Sequence, residues 1–191
     1  DLKFDEKDFL GAVGLSLPAG EKGRRPLEMI WSRPTCEVNG MTSGYTGDGF
    51  KTVLPSKASA KISFRLVSTQ DPLKVREDFR KLVSAMVPAD CTVTFKDHGA
   101  GPAGQMSTED PAFAKARSAL TDEFEKTAAY VGCGGSIPIA GYFKTILGMD
   151  AMLIGFGKDD DQIHSPNEKY DLSSFHKGTR SWARILHNLT K

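Results

Sequence analysis

A single histidine among acidic residues is the first feature of this sequence that could do chemistry. His164 lies in the segment GFGKDDDQIHSPNEKYD, after three consecutive aspartates and before Glu168. A solvated loop and a metal-binding loop both fit this pattern, because imidazole and carboxylate groups are common zinc ligands. The central Gly and the terminal Glu spacing of a calcium loop are missing. Residue types and spacing therefore leave the role of His164 open.

The other three histidines do not form a metal site by their spacing. His176 and His187 are predicted on one helix, where a separation of eleven residues places them about 16 Å apart. His98 lies in a glycine-rich turn, and its ordinary role is that of a turn residue. The sequence also lacks HExxH and zinc-ribbon spacings. Only His164 is left as a candidate metal ligand.

A glycine-rich turn offers backbone N–H groups that could hold an anion. Gly132, Gly134 and Gly135 precede Ser136 and a predicted helix. The turn lacks the lysine and spacing of a P-loop, the Rossmann spacing, and the Gly-x-Ser-x-Gly pattern of a nucleophile elbow. Spacing alone favours close packing between strand and helix, with Ser136 as the N-cap.

The first half of the chain predicts a small layer of strands covered by a helix. Strands are predicted at 34–41, 57–68 and 91–98, and residues 57–66 alternate between polar and apolar side chains. A helix is predicted from Asp71 as N-cap and Pro72 as first helical residue. Its predicted apolar stripe comprises Leu73, Val75, Phe79, Leu82, Val83 and Met86. The order β-β-α-β predicts an antiparallel sheet with a helix over one face.

The second half predicts an α/β layer beyond a hinge at 99–111, which is rich in Gly and Pro. Three helices are expected, near 110–126, from Ser136 with Pro138 in its first turn, and at 172–189. Two strands are expected, at 128–131 and 151–156. The alternation of helix and strand indicates a second structural unit of α/β class.

Composition excludes several classes of partner. Lys and Arg total 25 against 24 for Asp and Glu, so the net charge of +1 gives no field that would attract nucleic acid or an anionic membrane. No apolar run approaches the roughly 20 residues of a membrane span. Three widely spaced cysteines favour reduced thiols and a cytoplasmic location. Because the chain begins at Asp1, we expect it to be part of a longer protein.

Three segments together resemble a known family. They are GDGFKTVLPSKASAKISFRLV at 47–67, CGGSIPI at 133–139 and HSPNEKYDLSSF at 164–175. In this order they resemble the M20 family of dizinc metallopeptidases, in its branch of carnosinase-like and cytosolic nonspecific dipeptidases. The resemblance implies that residues 1–100 are part of a lid or dimerisation domain that forms a homodimer. It implies that residues 101–191 are the C-terminal segment of an α/β catalytic domain.

The resemblance also implies roles for individual residues. His164 would be a ligand of one of two zinc ions, with manganese as an alternative metal, and nearby carboxylates could orient its ring. Arg65 would hold the C-terminal carboxylate of a small peptide substrate. Thr52 in the lid, and Gly135 with Ser136, would contact the substrate. The implied reaction is hydrolysis of dipeptides, with zinc-bound hydroxide attacking the scissile carbonyl.

The family's other metal ligands and its general base would lie in an N-terminal half that this sequence does not include. We therefore expect no catalytic residue in this chain, and no activity from this chain alone. Cys133 stands where similar proteins often have an acidic residue. Two alternatives stay open: an N-acyl amino acid deacylase of the same family, and a dimerisation module without catalysis.

Overall fold

A computed structural model describes residues 4–135 and 137–191 of the 191-residue chain, and they fold as two compact units. The first unit contains the chain up to Gln105 together with Gly132–Leu147, and the second contains Met106–Val131 and Gly148–Lys191. The first holds α1 (Glu6–Ala12), α2 (Pro26–Ser32), β1 (Thr35–Ser43), β2 (Ala58–Arg65), α3 (Pro72–Met86) and α5 (Pro138–Leu147). The second holds α4 (Pro111–Phe124) and α6 (Leu172–Leu189), with a short 3-10 turn at Asp159–Asp161.

An antiparallel hairpin forms the sheet of the first unit. β1 pairs with β2 from Thr35 opposite Arg65 to Ser43 opposite Ala58, with a register shift between Val38 and Gly40. The antiparallel arrangement agrees with the prediction, and the observed strands begin and end within three residues of the predicted bounds, 34–41 and 57–68. The predicted mixed fold class, with a helix accompanying a small antiparallel sheet, is confirmed.

Helix α3 begins where its capping residues predict. The Asp71 side chain accepts a hydrogen bond from the backbone N–H of Leu73 at 2.8 Å, and Pro72 occupies the first helical position. The ring of Phe79 meets that of Phe64 on β2 edge to face, with 5.1 Å between centroids. The predicted apolar stripe is too wide, because Leu73, Leu82 and Met86 are exposed. The half-buried stripe is Val75, Phe79 and Val83, at a spacing of four residues.

The segment predicted as a third strand is extended but unpaired. Within the described part of the chain, residues 92–98 make no backbone hydrogen bond to another strand. They are attached to α3 by side chains: Arg80 lies 2.7 Å from Asp97 and its guanidinium stands 5.5 Å from the ring of Phe95. The predicted strand at 91–98 was therefore wrong: among the described residues no neighbouring strand pairs with this segment, and its side chains are exposed.

Helix α2 was not predicted, because residues 1–33 show little apolar periodicity. It starts at Pro26 in the first helical turn, a position that proline favours because its missing N–H is not needed there. Helix α1 begins at Glu6, after Asp5 accepts hydrogen bonds from two backbone N–H groups. Residues 1–33 were expected to be mostly irregular apart from a short helix within 5–15, and α1 confirms that helix.

The core of the second unit lies between its two long helices. Ala116 and Ala119 on α4 and Ile185 on α6 are almost fully buried. The small side chains of the two alanines leave room for Ile185 between the helices, and Met152 and Ile154 pack against this cluster. The predicted bounds of α6, 172–189, are confirmed.

Two further predicted strands are absent from the described residues. Residues 128–131 and 151–156 lie outside the helices and strands, and neither segment has a strand partner. In 151–156 the side chains pack onto α4 and α6 while the backbone stays unpaired, so burial produced the apolar pattern. The predicted start of a helix at Ser136 lies outside the described residues, and α5 is described from Pro138. Across residues 4–135 and 137–191, no helix combines the length and apolarity needed to cross a membrane.

Candidate functional site

His164 lies on an exposed loop of the second unit, between the 3-10 turn and α6. Its φ angle is +63°, in the left-handed region that costs a non-glycine residue roughly 1–2 kcal/mol. Its backbone N–H donates to the carboxylate of Glu168 at 3.3 Å. Within the described ranges its imidazole ring forms no hydrogen bond. The ring is therefore accessible to a ligand, while the backbone of His164 is fixed by its hydrogen bond to Glu168.

The carboxylates near His164 hold the loop and not the ring. Glu168 contacts the backbone of His164, and Asp161 is 1% exposed and bound to Lys158 and Lys169. Neither Asp161 nor Glu168 forms a hydrogen bond with the imidazole ring among the described residues, and the expectation that neighbouring carboxylates orient the ring stays a prediction. Glu168 instead accepts a hydrogen bond from the backbone N–H of His164. Asp161 accepts hydrogen bonds from the backbone N–H of Lys158 and from the side chain of Lys169.

The described residues do not complete a metal centre by themselves. Among 4–135 and 137–191, no group of three or more His, Cys, Asp or Glu side chains is placed to hold a metal ion. The exposed ring of His164, without a hydrogen-bonded partner among these residues, is compatible with a ligand role.

Arg65 closes strand β2 of the first unit and has an organised polar neighbourhood. Its Nε lies 3.7 Å from Oε1 of Glu37, and its backbone N–H donates to Thr35 Oγ1 at 3.4 Å. Glu37 also accepts hydrogen bonds from the hydroxyls of Thr35, at 2.6 Å, and Ser63, at 3.1 Å. The Arg65 side chain stays 47% exposed. A guanidinium that contacts Glu37 and remains partly exposed to solvent can bind the carboxylate of a ligand.

Glu37 is a neighbour of Arg65 that the sequence did not reveal. The two residues are 28 positions apart in the chain, and they meet because β1 and β2 pair with Thr35 opposite Arg65. The available clue was that residues 35 and 37, two positions apart on a strand, lie on the same face of β1. Using it required the register of the hairpin, which a single sequence does not give.

Thr52 lies in the exposed connection between β1 and β2. This connection turns at Gly44 and Gly49, whose φ angles of +67° and +77° suit glycine. Tyr45 donates a hydrogen bond to the carbonyl of Asp48 at 3.1 Å, which stabilises the turn. The structure therefore presents Thr52 at the surface of the first unit, the unit that also contains Arg65.

The glycine-rich turn is fixed against helix α2. A Cβ atom on Gly134 would lie 1.9 Å from the carbonyl oxygen of Ile30, and one on Gly132 would lie 2.6 Å from the Cβ of Trp31. Both positions therefore require glycine for close packing. Gly135 is exposed and has only a 3.4 Å contact to the sulfur of Cys133. Ser136, the other predicted substrate contact, lies outside the described residues.

The pattern of the peptidase family M20/M25/M40 matches residues 7–188, and the chain belongs to this family. The Cys-Gly metallodipeptidase dug1 of Schizosaccharomyces pombe is 28% identical over 192 residues, covering 98% of this chain and 40% of that protein. The human Beta-Ala-His dipeptidase is 27% identical over 161 residues, covering 82% of this chain and 32% of that protein.

The fold agrees with this family. An M20 family metallo-carboxypeptidase from Sulfolobus solfataricus, Sso-CP2, matches with a TM-score of 0.83 and 28% identity, covering 96% of this chain and 42% of that one. The di-peptidase Dug1p of Saccharomyces cerevisiae matches with a TM-score of 0.78 and 27% identity, covering 98% and 40%. The chain thus spans about two fifths of the length of these relatives. The family resemblance predicted from three sequence segments is confirmed.

Proposed function

We propose that this chain is the lid and C-terminal catalytic portion of a dizinc metallodipeptidase. The observation that carries the proposal is the family match over residues 7–188, together with relatives named as a metallodipeptidase in yeast and as a dipeptidase in human. Those names imply a metal cofactor for those enzymes, and zinc is our specific proposal for this one. The lid role of residues 1–100 and the catalytic role of 101–191 belong to the same proposal.

Arg65 binds the C-terminal carboxylate of the substrate in this proposal. Its neighbourhood supports the role, because Glu37 lies beside Nε and the side chain remains accessible. A guanidinium can form two parallel hydrogen bonds with one carboxylate, which selects for a free C-terminus. Thr52, Gly135 and Ser136 are proposed as further substrate contacts.

His164 supplies one metal ligand in this proposal, as a neutral imidazole. When bound, the two metal ions would supply Lewis acid chemistry at the scissile bond. This chain's own contribution is to present the imidazole on a held backbone and to place a cation for the substrate carboxylate. The described residues include no complete metal site, so activity requires ligands and a general base from outside them.

The assembly and location follow as further proposals. We propose a homodimer formed through residues 1–100 and a cytoplasmic location, as the family resemblance implies. Small peptides are the proposed substrates, while nucleic acid and membranes are not proposed partners, given the net charge of +1.

The proposal is tested by a substrate panel on the natural protein with zinc. The panel contains Cys-Gly, Beta-Ala-His, a C-amidated dipeptide, a tripeptide and an N-acetyl amino acid. We expect cleavage of free dipeptides and little cleavage of the amidated one, since the amide removes the charge that Arg65 binds. Activity confined to the N-acetyl amino acid would favour the deacylase instead. Activity on none of them would contradict the proposed function.

Substitution of Arg65 tests its assignment within the same panel. Arg65→Ala should lower kcat/KM for free dipeptides by roughly 10–100-fold, the range for losing a charge-assisted pair. Arg25→Ala is the matched control, because Arg25 is also an exposed arginine in an ion pair, with Glu6 at 2.8 Å. Unchanged kinetics in Arg65→Ala would remove Arg65 from the substrate site.

A further inference from the structure

We propose that Asp161 and Lys169 are positioning residues that hold the loop carrying His164 in the conformation that binds metal. The inference rests on the proposed function, because it takes His164 as a metal ligand. It adds two residues that act through the loop backbone and need not touch the metal or the substrate.

Asp161 joins the two sides of the loop. Its Oδ2 accepts from the backbone N–H of Lys158 at 2.7 Å, and its Oδ1 accepts from Lys169 Nζ at 3.0 Å. Its backbone carbonyl accepts from the N–H of Lys169, also at 3.0 Å. Asp161 is 1% exposed, so these donors replace the water that the carboxylate has lost.

Lys169 extends the connection to the start of α6. Its Nζ lies 3.4 Å from Oδ1 of Asp171, the residue that precedes the helix, and Lys158 Nζ forms an ion pair with the same carboxylate. The hydrogen bond with Asp161 raises the pKa of Lys169, and the backbone N–H of Lys158 lowers the pKa of Asp161. Both groups therefore stay charged at neutral pH, which keeps the loop closed.

The loop needs such a closure because of its backbone conformation. Gln162, His164 and Asn167 have φ angles of +52°, +63° and +63°. Each is disfavoured for a residue with a Cβ atom, and an unrestrained loop would populate the three together only rarely. Asp161 and Lys169 bracket all three residues. Their contacts oppose a change in the loop backbone that would move the His164 ring.

The experiment measures the zinc dissociation constant of the natural protein by competition with a chromophoric chelator. We expect Asp161→Asn and Lys169→Met each to weaken zinc binding roughly tenfold, at the low end of the range for residues that support a ligand. Lys169→Arg should restore nearly normal affinity because it keeps the ion pair. Asp160→Asn is the matched control: Asp160 also contacts Lys169, at 3.1 Å, but is 73% exposed and does not join the loop.

A thermodynamic cycle with His164→Ala separates positioning from general stability. If Asp161 acts through His164, Asp161→Asn should cause little further loss of zinc affinity once His164 is gone. An equal loss in both backgrounds would overturn the inference, as would normal affinity in folded Asp161→Asn and Lys169→Met. Unchanged affinity in His164→Ala alone would instead contradict the proposed function. Lys169→Met breaks the Asp161–Lys169 ion pair by removing the lysine charge. The test therefore does not depend on the folding of Asp161→Asn.

Discussion

Glu123 on α4 and Arg180 on α6 are joined by a charge-assisted contact within the second unit. Arg180 Nε donates to Oε1 of Glu123 at 2.7 Å, and Arg184 Nε donates to Oε2 at 3.1 Å. The Glu123 side chain is only 5% exposed, so the two arginines replace its hydration. The hydrogen bond from Arg180, followed by that from Arg184, lowers the pKa of Glu123 below its ordinary value.

This contact predicts a loss of stability in acid. Above the ordinary value of 4.5, Glu123 is ionised in both the folded and unfolded protein and its contribution is complete. As the pH falls below 4.5 towards the lower folded pKa, the unfolded state takes up the proton first, so folding is progressively disfavoured. Glu123→Gln should unfold more easily at pH 7 and lose less stability between pH 6 and 3. Denaturant unfolding at several pH values measures both effects.

Glu125→Gln provides the control for that experiment. It makes the same chemical change two residues away, at an exposed position for which the described chain shows no ion pair. We expect it to follow the wild-type pH profile. A Glu123→Gln profile parallel to wild type would show that the contact with Arg180 does not stabilise the protein.

Gly178 on α6 predicts an unusual cost for alanine in a helix. A Cβ atom there would lie 2.8 Å from Cδ2 of Phe156, whose ring stacks on Phe124 with centroids 6.3 Å apart. Alanine normally gains about 1 kcal/mol over glycine in a helix interior. Displacing the ring should outweigh this gain, so we expect a net loss of about 1–2 kcal/mol in the free energy of unfolding.

Two comparisons make that prediction specific. Gly11→Ala in α1 has no atom within 4 Å of the new Cβ, so it should be neutral or stabilising by up to about 1 kcal/mol. Combining Gly178→Ala with Phe156→Ala should cost less than the sum of the two changes. A stabilised Gly178→Ala protein would show that Phe156 does not pack against this helix face.

The glycine-rich turn gives a second steric prediction. Gly134→Ala would place a methyl group 1.9 Å from the Ile30 carbonyl oxygen, a backbone atom that cannot rotate away. We expect a loss of at least about 2 kcal/mol in the free energy of unfolding. Gly135→Ala in the same segment meets only the Cys133 sulfur at 3.4 Å, and should change stability by less than about 1 kcal/mol. Thermal unfolding of the two variants side by side checks the difference, and equal stability would contradict the packing described.

Local patterns in the sequence predicted local structure well. Asp71 with Pro72 marked the start of α3, because capping depends on neighbours a few residues away. The runs 91–98 and 151–156 were wrongly predicted as strands. Residues 91–98 are exposed, and in 151–156 some side chains pack onto the helices, but strand formation also requires a hydrogen-bonded partner, and the described residues provide none.

The candidate site was predictable only in part for the same reason. The family resemblance identified His164 and Arg65, and these roles stay predictions. The sequence KDDD gave no means of telling buried Asp161 from exposed Asp160, because both contact Lys169 and only Asp161 also accepts from the backbone N–H of Lys158 in the folded loop. Glu37 was missed because its contact with Arg65 depends on strand register.

The metal content of the natural protein tests the central claim most directly. Purified wild-type protein and His164→Ala, both reconstituted with zinc and dialysed, are compared by mass spectrometry of the bound metal. The account predicts two zinc ions per chain in the wild type and a loss of at least one in His164→Ala, which lacks a ligand. Wild-type protein without bound zinc, or equal zinc in both proteins, would contradict it.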